Sequence, residues 1–313
     1  MSVLVGLIVT LGMSAVVPVG LRLLDGPQPA SLRLLRRAWP LLALPGAVSL
    51  WLPRGPLAAA LAGVYALATV ALALHAPVRL ALTLPRSPAA GARTSPRLPA
   101  PAEVAALTAL ATPAVAGLAL VAERAGHELF GFELGILALT VPHFHFAGFA
   151  AALVAGLVCR AAESRGTRFA ALSVPLGTLL VLLGYFVDDW AELAGALVLT
   201  AGMWAVALAT WRELRPAAPD RVTRALLGTS AAVLVATMLL ALSWALGEAT
   251  GLPHPGLTWM AATHGLGNAL GFAVCSLLAW RRLARSRTAA SARGPLTHRA
   301  VPAVPAHRTE LPA

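Results

Sequence analysis

Residues 134–159 read LGILALTVPHFHFAGFAAALVAGLVC, a run of 26 residues without aspartate, glutamate, lysine or arginine. An α-helix rises about 1.5 Å per residue and the hydrocarbon core of a bilayer is about 30 Å thick, so about 20 apolar residues can cross it. A lone apolar segment in lipid satisfies its backbone hydrogen bonds only as a helix. The run therefore predicts a transmembrane helix.

Further apolar runs lie on both sides of this one. A shorter run, 38–53, is interrupted by Pro40 and Pro45, so it is either a kinked span or a re-entrant segment. The pattern predicts an all-α, polytopic transmembrane helix bundle of about nine spans. The other full-length runs are 3–21, 56–76, 102–122, 168–187, 190–211, 223–247 and 257–280.

The composition agrees with a lipid environment. The chain has 313 residues, of which 58% are apolar and only 12% are charged, a balance that soluble domains do not show. All 24 basic residues are arginine, which excludes a Schiff-base lysine and a Walker-type phosphate loop. The net charge of +11 comes from arginines scattered through short loops, so nucleic acid is not an expected partner. Cys159 and Cys275 have no metal-type spacing.

The arginines predict the orientation of the chain in a cell (inner) membrane. With nine spans and an outside N-terminus, only Arg54 and Arg124 fall outside, and the C-terminus is cytoplasmic. Residues 1–285 form the predicted transmembrane domain. Within it, 77–101 reads as a cytoplasmic connector rich in proline and arginine, and 286–313 as a disordered cytoplasmic tail.

Polar side chains inside the spans are the main functional hypothesis, because they are costly in lipid. Under this topology His143 lies roughly 13 Å below the outer boundary, and His264 and Asn268 lie roughly 10 and 16 Å below it. We therefore expect these three side chains to converge. His143 and His145 differ by about 200° around a helix axis, so they point in nearly opposite directions and do not suit a single metal ion.

The expected site combines this group with polar and aromatic residues near it. Glu133 and Glu123 lie at the outer ends of spans and are candidate proton donors or acceptors. The alternative for a histidine is a hydrogen bond between helices, and for an acid or tryptophan at a helix end it is anchoring at the membrane surface. The candidate catalytic residues are His143, His145, His264 and Glu133, and the candidate binding residues are Thr140, Asn268, Thr263, Phe146, Asp188, Asp189, Trp190 and Glu123.

Two short motifs carry a resemblance to a known family. They are Pro142-His143-Phe144-His145-Phe146-Ala147-Gly148-Phe149 and His264-Gly265-x-x-Asn268-Ala269-x-Gly271-Phe272. Through them, and over most of the membrane region, the chain resembles the YndJ-like family of bacterial membrane proteins. The transporter label attached to that family implies a transporter-like function.

The His-Phe-His-aromatic run also resembles the helix of haem-copper oxidases whose two histidines bind two haems. The sequence lacks the copper ligands of those enzymes, which excludes a complete oxidase. A single haem held by His264 and one histidine of the fifth span is left as an alternative.

Three functions stay open at this point. The first is a carrier or binding protein that handles a small solute or protons through the histidines and Asn268. The second is a membrane-embedded enzyme that acts on a lipid or isoprenoid by general acid/base chemistry, with Trp190, Phe146 and Tyr185 lining an apolar pocket. The third is a structural subunit. The expected partners are the lipid bilayer and an unidentified small molecule or lipid; the cofactor and the oligomeric state are unknown.

Overall fold

The structure is a computed structural model that describes residues 2–24, 26, 28–83 and 98–292. Within these residues the chain forms nine long helices and no strand, which confirms the predicted all-α bundle. The helices are α1 (Val3–Leu21), α2 (Ala30–Ser49), α3 (Pro56–Thr83), α4 (Pro101–Ala125), α5 (Leu134–Ala162), α6 (Arg165–Gly184), α7 (Asp189–Leu214), α8 (Arg221–Thr250) and α9 (Leu257–Thr288).

Eight of these nine helices, all except α2, are long and apolar enough to cross a membrane. Helix α2 begins eight residues before the predicted run 38–53 and stays helical through Pro40 and Pro45. Its 20 residues measure about 30 Å, which equals the thickness of the hydrocarbon core of a bilayer. Three arginines in its first half lower its hydropathy, and this is why the apolar pattern understates its length.

The predicted connector and tail are partly helical. Helix α3 continues to Thr83, and α9 continues past residue 285. The rest of the connector up to residue 97 and the tail from residue 293 lie outside the described residues.

Helix α5 is the central helix of the bundle. Its most apolar 18-residue window is 83% buried, the highest share among the spanning helices. Helices α1, α4, α6, α7 and α9 contact α5 directly, and α3 reaches it through Tyr65. Helix α2 packs on α1 and α3, and α8 packs on α7 and α9. Residues 134–159 therefore form the most buried helix at the centre of the bundle.

Helix α4 carries one buried ion-pair group at each end. Near its start, Glu103 binds Arg79 of α3 and Arg160 of α5. Near its end, Glu123 binds Arg54 and Arg124. We call the end of the bundle at which α1 begins the arginine-poor end, and the opposite end the arginine-rich end. The two arginines at the arginine-poor end thus share one carboxylate.

Candidate functional site

A cavity of about 450 Å³ lies between α1, α5, α6, α7, α8 and α9. The exposed residues of its lining, Tyr185, Asp189, Glu248 and Leu257, all lie near the arginine-poor end, so the cavity opens there. Its lining extends from there to Ala151 and Phe272. Most of the lining side chains are aliphatic, aromatic or methionine. This size and this lining are typical of a site for a small organic molecule.

Two helices that line the cavity depart from α-helical geometry beside its polar groups. In α5 a π-helical segment, Phe144–Ala150, begins directly after His143. In α9 the segments Ala261–Gly265 and Gly267–Val274 are π-helical and contain His264 and Asn268. Single π-helical turns inside helices are frequent at functional sites. The backbone irregularities and the polar groups therefore coincide at one depth.

His264 and Asn268 form a closed hydrogen-bond network with α8. The His264 Nδ1–H donates to the carbonyl oxygen of Thr237 at 2.8 Å, and Asn268 Nδ2 donates to His264 Nε2 at 3.1 Å. The Thr237 hydroxyl donates in turn to Asn268 Oδ1 at 2.8 Å. Both ring nitrogens of His264 are thus engaged, so this histidine is held neutral and in one orientation.

His143 faces the same cavity from α5 and differs from His264 in one respect. Its Nε2 atom is buried, and no hydrogen-bond partner lies within reach among the described residues. A buried polar atom without a partner costs about 1–3 kcal/mol. His143 Nε2 is therefore the polar atom in the wall that is best placed to bind a ligand.

His145 points away from the cavity, as its spacing from His143 predicts. It is fully buried, its Nδ1–H donates to the Val141 carbonyl oxygen at 2.7 Å, and its Nε2 accepts from the Tyr65 hydroxyl at 2.5 Å. A Cβ added at Gly12 would lie 3.0 Å from the His145 Cβ, so α1 passes close by. His145 thus joins α1, α3 and α5.

The structure brings half of the predicted site residues to the cavity. His145, Glu133, Thr263, Asp188, Trp190 and Glu123 do not line it. Asp188 caps α7 by accepting from the Ala191 N–H, Trp190 is 60% exposed, and Glu123 binds its two arginines. The predicted residues that line the cavity are His143, His264, Thr140, Asn268, Phe146 and Asp189.

The sequence patterns miss two carboxylates of the site. Glu192, in the first turn of α7, and Glu248, in the last turn of α8, both line the cavity beside Asp189. Glu248 lies 3.1 Å from His254 Nε2. Each looks like an ordinary acid at a helix end, and no signal in the sequence marks which helix ends surround a cavity.

Tyr185 links these carboxylates to the aromatic wall. Loss of water around its hydroxyl raises the pKa of Tyr185, and the negative charge of Glu192 adds to this effect. The hydroxyl therefore stays protonated at physiological pH and is available as a hydrogen-bond donor at the mouth of the cavity.

The residues do not fit a haem held by two histidines. Iron needs a free ring nitrogen on each axial histidine, whereas both nitrogens of His264 and both of His145 are already hydrogen-bonded. Among the three histidines of the two motifs, His143 alone has a ring nitrogen without a hydrogen-bond partner in the described residues. This donor set argues for an organic ligand.

The fold and the cavity define a multi-pass helical membrane protein with a deep internal cavity. Within this class, a family model described as YndJ-like protein matches residues 7–272. The chain belongs to the YndJ-like family, and the match includes both histidine motifs. Comparison with curated proteins and with solved structures gave no match.

Proposed function

We propose that the protein is a membrane-embedded binding protein of the carrier type, which takes a small, mainly apolar solute into the cavity through its arginine-poor end. The observation that carries this proposal is the buried, unpartnered Nε2 of His143 in the wall of the 450 Å³ cavity. A neutral imidazole accepts one hydrogen bond at such an atom. A hydroxyl or amine of the solute would supply the donor.

The walls support a mainly apolar solute. Three of the five methionines of the chain, Met203, Met238 and Met260, line the cavity. Methionine side chains are flexible and adapt to different shapes. The cavity therefore suits apolar solutes of several different shapes, and it does not require one particular shape.

Binding of 2-(1-naphthyl)ethanol to protein in phosphatidylcholine nanodiscs tests this proposal. We expect saturable binding to the wild type, and weaker binding by roughly 3- to 10-fold in His143→Ala, because one net hydrogen bond is lost. Ala241→Phe, which fills the cavity, should abolish binding. His127→Ala changes an exposed histidine outside the cavity and serves as the control. Equal binding in the wild type and in Ala241→Phe would contradict the proposal.

A second candidate function is an enzyme that acts on a lipid or isoprenoid, with His143 as the general base. The observation that favours it is that the lining of the cavity stops at Ala151, Met203 and Phe272, before the arginine-rich end of the bundle. The cavity is thus closed toward that end. Incubation with lipid extracts followed by mass spectrometry separates the two functions. An enzyme would yield new products that His143→Ala does not form, whereas a carrier would exchange the naphthyl probe across proteoliposomes unchanged.

A further inference from the structure

The charged side chains that line the mouth of the cavity are carboxylates in the described part of the chain. They belong to Asp189, Glu192 and Glu248, and no arginine of the described residues lines the cavity. The protein has a net charge of +11, so this local excess of carboxylates runs against the overall charge. Low-dielectric walls around charges of one sign focus their field into a cleft and raise the local concentration of ions of the opposite charge.

Two of these carboxylates have no ion-pair or hydrogen-bond partner among the described residues. Three acids elsewhere in the bundle, Glu103, Glu123 and Asp220, bind arginine. Asp189 and Glu192 make no ion pair and no side-chain hydrogen bond within the described part of the chain. The cap of α7 is supplied by Asp188, so Asp189 and Glu192 are not needed for it.

Positive charges near this end are engaged elsewhere. Arg54 and Arg124 bind Glu123 on the α4 side of the bundle, and neither lines the cavity. His254 is the basic group beside the mouth, and it lies against Glu248 at 3.1 Å. The carboxylates of α7 therefore have no cationic partner in the described residues.

Aromatic groups stand next to the carboxylates. Trp244 and Tyr185 both line the cavity, and the Trp244 ring meets His254 edge-on at 4.9 Å between ring centres. Carboxylates and aromatic faces together are the usual surroundings of a bound ammonium group. Farther from the mouth, methionine side chains line the cavity as far as His143, whose Nε2 is the buried acceptor without a partner.

We propose that the solute is an organic cation, whose protonated amine binds between Asp189, Glu192 and Glu248 and whose apolar body extends toward His143, to which a hydroxyl or second amine at its far end would donate. This inference rests on the proposed function and names its substrate class. Glu248 lies eleven residues from Thr237, the partner of His264, which places the two polar ends of the cavity roughly 16 Å apart along α8. An amine joined to one or two aromatic rings has a suitable length.

Three probes that differ only in their head group test this proposal. They are 2-(1-naphthyl)ethylamine, which is cationic at neutral pH, the neutral 2-(1-naphthyl)ethanol, and the anionic 1-naphthylacetate. Equilibrium dialysis against wild-type protein in phosphatidylcholine nanodiscs gives the three dissociation constants. We expect the amine to bind at least about tenfold more tightly than the alcohol, and the acetate to bind least.

The variants locate the source of the preference. Asp189→Asn with Glu192→Gln should reduce the preference for the amine to about threefold or less and leave the affinity for the alcohol unchanged. Glu128→Gln, which alters an exposed carboxylate at the same end but outside the cavity, should leave all three constants unchanged.

The outcomes separate the two proposals. Binding of the alcohol as tight as that of the amine, or tightest binding of the acetate, would overturn the cation proposal and leave the binding function standing. A preference that survives in Asp189→Asn with Glu192→Gln would also overturn it. Failure of all three probes to bind the wild type would overturn the proposed function itself.

Discussion

Glu123 holds two arginine side chains at the arginine-poor end of the bundle. Its carboxylate accepts hydrogen bonds from Arg54 at 2.9 Å and from Arg124 at 2.7 Å. Glu123 is fully buried and Arg124 is 3% exposed. Arg124 also donates to the carbonyl oxygen of Leu52 at 3.2 Å, so the group connects α4 to the loop between α2 and α3.

Glu123→Gln should destabilise the protein by about 3 kcal/mol, because removal of one partner leaves a buried guanidinium charge without compensation. The free energy of unfolding, measured by SDS titration from mixed micelles, checks this. The matched control is Glu128→Gln, since Glu128 is exposed and lies five residues away. If the two variants unfold at the same midpoint, the ion-pair group does not stabilise the fold.

For single residues, the sequence indicates which residue types belong to the candidate site, but it is less informative about where in the fold each side chain lies. The helical spacing correctly separates the directions of His143 and His145, yet it does not indicate which of the two faces a cavity. Glu123, near the end of α4, and Glu192, in the first turn of α7, both read in the sequence as acids at a helix end. Only the tertiary contacts make one an arginine partner and the other part of the cavity wall.

Close packing of α6 against α7 depends on glycine at the contact surface. A Cβ added at Gly177 would lie 2.4 Å from the Leu199 backbone nitrogen, and one at Gly195 would lie 2.5 Å from the Val181 nitrogen. Small residues let helix backbones approach each other in a membrane. This pair matters for function because Val181, Asp189 and Leu199 all line the cavity.

Gly177→Val should lower stability by about 2 kcal/mol, because the obstacle is backbone and the two helices must move apart. For a chain of 313 residues that corresponds to a fall in Tm of roughly 3 °C, which tryptophan fluorescence in mild detergent can follow. Gly63→Val is the control, since a Cβ at Gly63 meets nothing within 4 Å. A similar fall in both variants would point to helix propensity as the cause and would contradict the packing explanation.

The elements themselves follow from the sequence with few differences. Apolar runs give the ends of the eight spans to within three residues, except the C-terminal ends of α3 and α9, because lipid imposes a similar length requirement on every helix. Helix α2 is the main exception, since Arg33, Arg36 and Arg37 hide its first turns from a hydropathy pattern. The π-helical segments in α1, α5 and α9 leave no such mark. They depend on how neighbouring helices accommodate one extra residue in a turn.

For the whole molecule, the arginines of the described loops divide between the two ends of the bundle. Arg54 and Arg124 lie together at the arginine-poor end, where Gly55 N–H donates to the Arg124 carbonyl oxygen at 2.9 Å. Both arginines form ion pairs with Glu123. They therefore oppose translocation of that end across the membrane less than unpaired arginines would. The positive-inside rule then places the opposite end in the cytoplasm, which stays a prediction.

Cysteine labelling in intact cells tests this orientation. In a background of Cys159→Ala and Cys275→Ala, His127→Cys introduces a thiol at an exposed position of the arginine-poor end, and Ala217→Cys introduces one at an exposed position of the arginine-rich end. A membrane-impermeant maleimide should label His127→Cys in intact cells, and Ala217→Cys only after permeabilisation. The reverse pattern would place the mouth of the cavity, with its carboxylates, in the cytoplasm. A solute would then enter the cavity from inside the cell, so this labelling decides the direction from which the cavity is loaded.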